Sequence, residues 1–469
     1  MSSITVSTTA ALLAAAKVAQ PGETIFLAPG TYSAVDFNNV HVNGTLNITS
    51  SNPNNPAVIT SLEVNSSSGL TFSNLTMSTI GAKTPYPFSI GSSSNIAFTG
   101  IQVIGNPAVN QSAFDFGNST NVSVTNSHFQ GVENAIGDLN NNGVLISGNT
   151  FTGLTGDGVD NAGSSNVVIT GNTFTDFQPS GQEHPDAIQF WTTNTTSSAS
   201  NITISDNTIS QGAGQPNQGI FISDQVGTLP YQNVTITDNT VVGGMWNGIT
   251  AAHVNGLNIS GNTVVGLEGG NTARIVLALD TGVTLTANQA QQIILNGQDA
   301  SQVAQSGNGL TTAVTTSNMQ TLNSNIGAVA ANAQTSAVNT VLTGTTPQTL
   351  ILTGAANLSA VANSGGDHII GNAGNDILTS GTGADTFTEG AGTDSFVFGQ
   401  NSGADVITNF GANGAHDTIN ISAYLAAGDH PTVKAVGANT VITMDAHDSI
   451  TLLGVQPSSV IATGIGFTH

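Results

Sequence analysis

A chain of 469 residues has room for two or three domains or for one long solenoid. With 55 glycines, no cysteine, 5% aromatic and 7% charged residues, it is too poor in rings and charges for an ordinary compact α/β enzyme, and it holds neither disulfides nor thiolate metal sites. A formal charge of −23 with only four Lys plus Arg argues against a nucleic-acid or anionic-membrane partner and leaves the acids free to serve a hard cation such as calcium.

The chain begins with ALLAAAKVAQ after Thr8 and Thr9. This stretch is too short, and too lacking in leading basic residues, for a cleaved signal peptide. It reads as a helix that caps the open end of a β-structure, whose strand edges would otherwise stay unpaired. No run of eighteen apolar residues follows, so no membrane-inserted helix is expected.

A repeat then dominates: VLISGN, VVITGN, ITISDN, VTITDN, LNISGN. Its second apolar residue falls at Ile48, Phe72, Phe98, Val124, Ile146, Ile169, Ile204, Ile236, Ile259 and Leu285. The intervals are 24, 26, 26, 22, 23, 35, 32, 23 and 26 residues, one short half-buried strand per repeat, which predicts a β-solenoid. A second strand series runs in step through Phe114, Ile136, Val159, Ile188, Ile220, Ile249 and Ile275. Asn149, Asn172, Asn207, Asn239, Asn262 and Asn288 read as a structural ladder at one corner. PGETIFLAPGTY resembles the entry into right-handed parallel β-helices of the pectate-lyase-like superfamily, a resemblance that covers residues 1–295.

The two long intervals are adjacent and imply insertions that wall a groove. The first carries GQEHPDAIQFW, the second QGIFISDQVGTLPY. With Ile188 inward, Gln189 and Trp191 face outward, and Gln189 falls between Asp160 and Phe221 of the neighbouring coils. Asp157 and Asp186 sit at strand entrances, His184 just upstream, and Asp224 and His253 at neighbouring strand ends. The expected substrate-binding set is Asp157, Asp160, Glu183, Gln189, Trp191 and His253, with Trp191 stacking on a sugar. Asp157 and Asp160, in GDGVDN, read equally as turn formers. His41 and His128 read as solitary surface histidines.

Residues 296–345 lose the strand rhythm and read as a spacer, with a short helix expected over SNMQTLNSNIGAVAANAQ. From 346 to 469 a nonapeptide repeat places Asp367, Asp376, Asp385 and Asp394 nine residues apart, with Gly365, Gly374, Gly383 and Gly392 two positions earlier. It matches the GGxGxDxUx pattern of RTX proteins, with Ile369, Leu378, Phe387 and Phe396 at the apolar position; the first position departs at Ala362, Ser380 and Glu389. The resemblance implies a parallel β-roll in which turn carbonyls and these carboxylates bind Ca²⁺. DVITNFGANGAHDTINISAYL and TVITMDAHDSITLLGV resemble the C-terminal region of type I secretion substrates. That implies export through type I secretion machinery and a secreted, extracellular or cell-surface location.

The pairing of a β-helix with RTX repeats is similar to that of mannuronan C-5-epimerases. Their Asp-Pro-His is inverted here as His184-Pro185-Asp186, and Asp224 closes the next coil's strand. The tyrosine those enzymes carry before the motif is missing, which leaves Tyr231 as the nearest candidate and Tyr86 as remote. The resemblance thus implies His184, Asp186, Asp224 and Tyr231 as catalytic, and a uronate-containing extracellular polysaccharide as substrate, modified by a calcium-dependent lyase or C-5-epimerase. A lyase lacks nearby Lys or Arg, since Arg274 lies three coils from His184, and would need Ca²⁺ on Asp157, Asp160 or Asp186. A glycoside hydrolase built on paired carboxylates from Asp157, Asp160, Asp186 and Glu183 is the first alternative. A non-enzymatic adhesin, matrix or surface-layer protein is the second.

Overall fold

The computed structural model describes residues 3–179, 184–311, 333–336, 338–346, 348–352, 356–372, 374–388, 392–408, 410–411, 416–436, 439–453 and 455–468. The chain divides into two units, residues 1–323 and 324–469.

In the first unit each coil visits three parallel sheets in turn. They have 13, 11 and 12 strands among the described residues and are called the first, second and third sheet below. The first sheet aligns Ile146, Ile169, Ile204, Ile236, Ile259 and Leu285 in direct register. The second sheet aligns Phe114, Ile136, Val159, Ile188, Ile220, Ile249 and Ile275. Both predicted series are therefore the core faces of real sheets, in a right-handed parallel β-helix. The core is continuous because like stacks on like. Phe129, Phe151 and Phe174 of the third sheet lie with ring centroids 4.8 and 4.5 Å apart and nearly parallel, an offset stack that adds to their burial.

Two polar ladders hold the corners. Each Asn of the predicted ladder is buried and bonds the next coil: Asn207 accepts from the Asn172 N–H at 3.0 Å, and its own amide reaches the Ile169 carbonyl at 2.8 Å and Asn239 at 2.9 Å. Every corner backbone group thereby gains a partner where water is excluded. The other corner uses Ser67, Ser93, Ser119, Asn141 and Ser164 the same way.

The N-terminal helix spans Thr9–Ala16, with Thr8 as its cap accepting from the Ala11 N–H. It buries Leu12 and Ala16 against the first coil, as expected of a cap. The β-helix continues past residue 295: Val303–Ser306 and Gly309–Leu310 pair with the preceding coil, so the first part of the expected spacer is one more coil. The helix expected over SNMQTLNSNIGAVAANAQ lies outside the described residues, apart from its last two positions, which open the strand Ala333–Ser336.

The second unit has two sheets of 8 and 7 strands among the described residues. Alternate nonapeptides feed opposite sheets, so Ile369 stacks on Phe387 in one and Leu378 on Phe396 in the other. The result is a flat parallel roll of eighteen residues per coil. A short helix, Ser422–Ala427, and antiparallel strands Thr432–Val436, Asn439–Thr443 and Ser449–Leu452 follow it. No helix among the described residues is long and apolar enough to cross a membrane.

Candidate functional site

The second sheet is entered through a sharp bend that brings two outward columns side by side. Just before the bend runs Tyr86, Ser112, Asn134, Asp157, Asp186, Gln218 and Asn247; just after it runs Ser89, Asp115, Gly137, Asp160, Gln189, Phe221 and Thr250. Small residues between the columns let the chain turn. At Gly158 an added Cβ would lie 2.6 Å from the Phe174 ring and 2.4 Å from the Ala187 carbonyl, so a side chain there would break the coil. The preceding loops differ in length. Residues 79–87 and 105–113 form one wall, tied by the Gln111 amide bonding to Pro85 at 2.6 Å. Residues 131–135 and 153–158 are short, and 176–185 is long again. The short loops leave Gly137, Asp157 and Asp160 part-exposed, and the space over them is called the cleft below.

Three carboxyls converge on its floor. Asp186 donates its N–H to Asp157 at 2.7 Å and accepts from the Gln189 amide at 2.8 Å. It is 1% exposed, and its other oxygen has no partner, as is also true of one oxygen of Asp160. Burial, the charge of Asp157 and then that of Asp160 push Asp186 up to about 8. Burial and the charge of Asp157 push Asp160 up to about 7. Asp115 is raised by burial. Two of these groups are thus carboxylic acids near neutral pH, able to donate a proton.

Tyr86 belongs to this group, against expectation. Its hydroxyl bonds to Ser112 and Asn134 within the field of Asp160 and Asp115. Its ring lies over Gly137, where a Cβ would sit 3.7 Å from Tyr86 Cε1. Sequence distance made it remote, but two coils of 26 and 22 residues bring it to the cleft. Tyr231, the expected candidate, is fully buried, packed edge-on against Phe190 at 6.2 Å, with its hydroxyl unpartnered. Burial and the charge of Asp224 push its hydroxyl far above the ordinary phenol range. It is a core residue, unable to reach substrate.

The remaining expected residues fall in two places. His184 is exposed beside the carboxyls, its Nδ1 3.2 Å from Gln218 Nε2. Glu183 lies outside the described residues. Gln189 sits between Asp160 and Phe221 as the register required. Trp191 is part-exposed at the far end of the same strand, between Ala162 and Ser223. Asp224 and His253 are also at the far end, about five to six residues or roughly 17–20 Å along the strand from Asp186. Asp224 anchors the insertion loop, accepting from Thr192 Oγ1 at 2.7 Å and from the N–H groups of Gly227 and Leu229 at 2.9 Å. Burial would raise its carboxyl, but these bonds and the charge of His253 outweigh it and hold it low. It struts the loop. Among the described residues no three His, Asp or Glu side chains form a metal-binding group.

In the roll, Asp367, Asp376, Asp385 and Asp394 are buried and accept the N–H two turns back, as Asp385 does from Asp367 at 2.8 Å and Asp394 from Asp376 at 2.7 Å. Asp405 and Asp417 extend the ladder through spacings of 11 and 12 residues, which hid them from a nine-residue pattern. Burial raises Asp405 to about 7. The turns approach closely: a Cβ on Gly383 would lie 1.8 Å from the Gly365 carbonyl oxygen, and one on Gly392 2.5 Å from that of Gly374. Only glycine fits, and the turns present carbonyl oxygens beside the buried carboxylates.

The family described as right handed beta helix region matches this chain over residues 60–187 and 112–290. No curated protein matches it. Among solved structures it is similar to an alginate lyase from Paenibacillus sp. str. FPU-7, at 17% identity and a TM-score of 0.42 over 66% of this chain and 99% of that one. A mannuronic acid specific polysaccharide family 6 lyase from human gut microbiota is 13% identical with a TM-score of 0.38, covering 87% of each chain. Pectate lyase Pel9A is 14% identical with a TM-score of 0.32 over 63% of this chain and 73% of that one. None of these likenesses bears on the reaction.

Proposed function

We propose that the chain is an extracellular enzyme that cleaves a polysaccharide in the cleft of the second sheet, by glycoside hydrolysis. The observation that carries this is the pair Asp160 and Asp186, side by side next to Asp157 and raised to about 7 and about 8 by burial and then by the charge of Asp157. A carboxyl that stays protonated at neutrality is what a glycosidic oxygen needs from a general acid. In this reading Asp160 gives its proton to the glycosidic oxygen as the C–O bond breaks, and the leaving sugar departs as an alcohol. Water attacks the anomeric carbon, and Asp115, two strands away and about 10 Å by strand spacing, takes the water's proton. That separation is of the order that leaves room for a water between the carboxyls, so the product inverts configuration. Burial and the charge of Asp157 hold Asp160 protonated, and Tyr86 positions the sugar.

Lysis or C-5 epimerisation of a uronate polymer is the second reading, favoured by one observation. Tyr86 places a phenol beside Asp160, and protonated carboxyls offer a way to neutralise a substrate carboxylate where no Lys or Arg stands. The roll is proposed to bind Ca²⁺ through Asp367, Asp376, Asp385 and Asp394 with the carbonyls of the Gly365, Gly374, Gly383 and Gly392 turns. Export by type I secretion machinery rests on the RTX resemblance.

The test is product chemistry on a panel of neutral and uronate polysaccharides, with and without calcium. New reducing ends are the expected product. Unsaturated ends or changed uronate composition support the second reading, and no product on any polymer favours an adhesin or matrix role. Asp160→Asn is expected to lower kcat at least about 100-fold with KM little changed.

A further inference from the structure

Arg274 is one of only four Lys and Arg residues in the chain. It opens the strand Arg274–Ala278, and the residues after it alternate with Ile275 and Leu277 in the core, so Arg274 turns to the outer face. An irregularity at Asn247/Ile249 puts it in register with Asn247. It therefore extends the column that runs from Asp157 and Asp186 through Gln218 and Asn247. The intermediate groups are already satisfied by each other: the Asn247 amide donates to Gln218 Oε1 at 2.6 Å, and Gln218 meets His184. The Arg274 Nε is buried without a partner. Its backbone is pinned from behind, because Gln291 Oε1 accepts the N–H groups of Gly266 and Ala273 at 2.6 and 2.8 Å and closes the loop before it.

A second feature lies beside it. Trp246, one of two tryptophans, is 46% exposed in the short loop that leads to Asn247, one coil from Arg274. Adjacent coils thus carry an exposed indole and a guanidinium whose Nε has no partner. An indole face stacks on a sugar ring, and a guanidinium fork binds a carboxylate or sulfate through two parallel hydrogen bonds.

We propose that Arg274 and Trp246 form an acidic-sugar subsite of the cleft, taking an anionic sugar of the bound polymer three coils, or about 14 Å, from Asp186. The inference rests on the glycan-cleaving reading and names its substrate class. The polymer carries carboxylate or sulfate groups, and the charge is read away from the reacting bond, where the acidic floor would repel it. Arg274 is here a specificity residue, not a catalytic one.

Binding is measured apart from turnover, so that failure of this subsite and failure of the hydrolytic reading are told apart. Full-length Asp160→Asn protein is titrated calorimetrically with polygalacturonate and alginate oligomers, their carboxyl-reduced neutral counterparts, and a sulfated galactan oligomer. At least one acidic oligomer is expected to bind. Adding Arg274→Gln should weaken it at least about tenfold and leave the neutral counterpart unchanged. Arg274→Lys should recover part of the loss, and Trp246→Ala should weaken both forms. Preference between carboxylated and sulfated oligomers identifies which anion is read. Acidic oligomers that bind equally with and without Arg274, or no binding by any acidic oligomer, would overturn the proposal.

Discussion

Asp186→Asn should make the β-helix more stable and the enzyme inactive. In the folded chain this carboxyl titrates at about 8 instead of 3.8, because it is buried beside Asp157 and Asp160. Between these values the folded state holds a proton that the unfolded state has released, so stability falls as pH rises from about 4 to about 8 and levels off above. At about 1.4 kcal/mol per pKa unit, the cost at pH 8.5 is bounded by about 6 kcal/mol, and sharing with the two neighbouring carboxylates leaves about 2 kcal/mol for a single substitution. Asparagine keeps the contacts, since its carbonyl accepts from Gln189 and the backbone N–H of residue 186 still donates to Asp157. The assay is calorimetric unfolding of the full chain at pH 5 and pH 8.5. The variant should gain stability at pH 8.5 and little at pH 5, with a flatter pH profile. A variant less stable than wild type at pH 8.5, or a wild-type profile that does not fall over this window, would refute the reasoning.

Other expected outcomes are simpler. Tyr86→Phe should reduce turnover at least about tenfold, by loss of an oriented hydroxyl, whereas Tyr231→Phe should leave turnover within about twofold and stability unchanged or raised, since its buried hydroxyl has no partner; rates on the polymer found in the product screen decide both. Asn207→Ala should cost about 3 kcal/mol by stranding the Ile169 carbonyl and the Asn172 donors, read as a lower unfolding transition of the β-helix. Chelation with EDTA should lower the transition of the unit containing residues 362–400 and leave the β-helix transition in place; a single calcium-independent transition would count against calcium in the roll.

Much of the fold was legible because a solenoid writes its register into the sequence. Ile169, Ile204 and Ile236 recur at the core position whatever the loops between them do, and Asn172, Asn207 and Asn239 recur three residues later. The third sheet and the serine ladder were not read, because three-residue strands such as Thr150–Thr152 and single serines give little periodic signal. The site was half legible. Asp157, Asp160, Asp186 and Gln189 could be read as neighbours because they sit at fixed offsets from core residues. Tyr86 and Asp115 were missed because outward columns carry no required residue type, so nothing but stacking joins them to Asp160. Asp224 and Tyr231 were misplaced for the opposite reason. They flank the carboxyls in sequence, but one struts a loop and the other fills the core. Trp246 and Arg274 lie beyond the insertions that drew attention, and only the coil register connects them with the carboxyl floor.

The most direct test of the cleft is a crystal structure of the full-length Asp160→Asn protein with an oligosaccharide of the polymer it cleaves. The account predicts a sugar chain lying across the second sheet beside the Tyr86 ring, with a glycosidic oxygen within hydrogen-bond reach of residue 160. An oligosaccharide bound at the Trp191 and Asp224 end of the strands, or on another sheet, would contradict it.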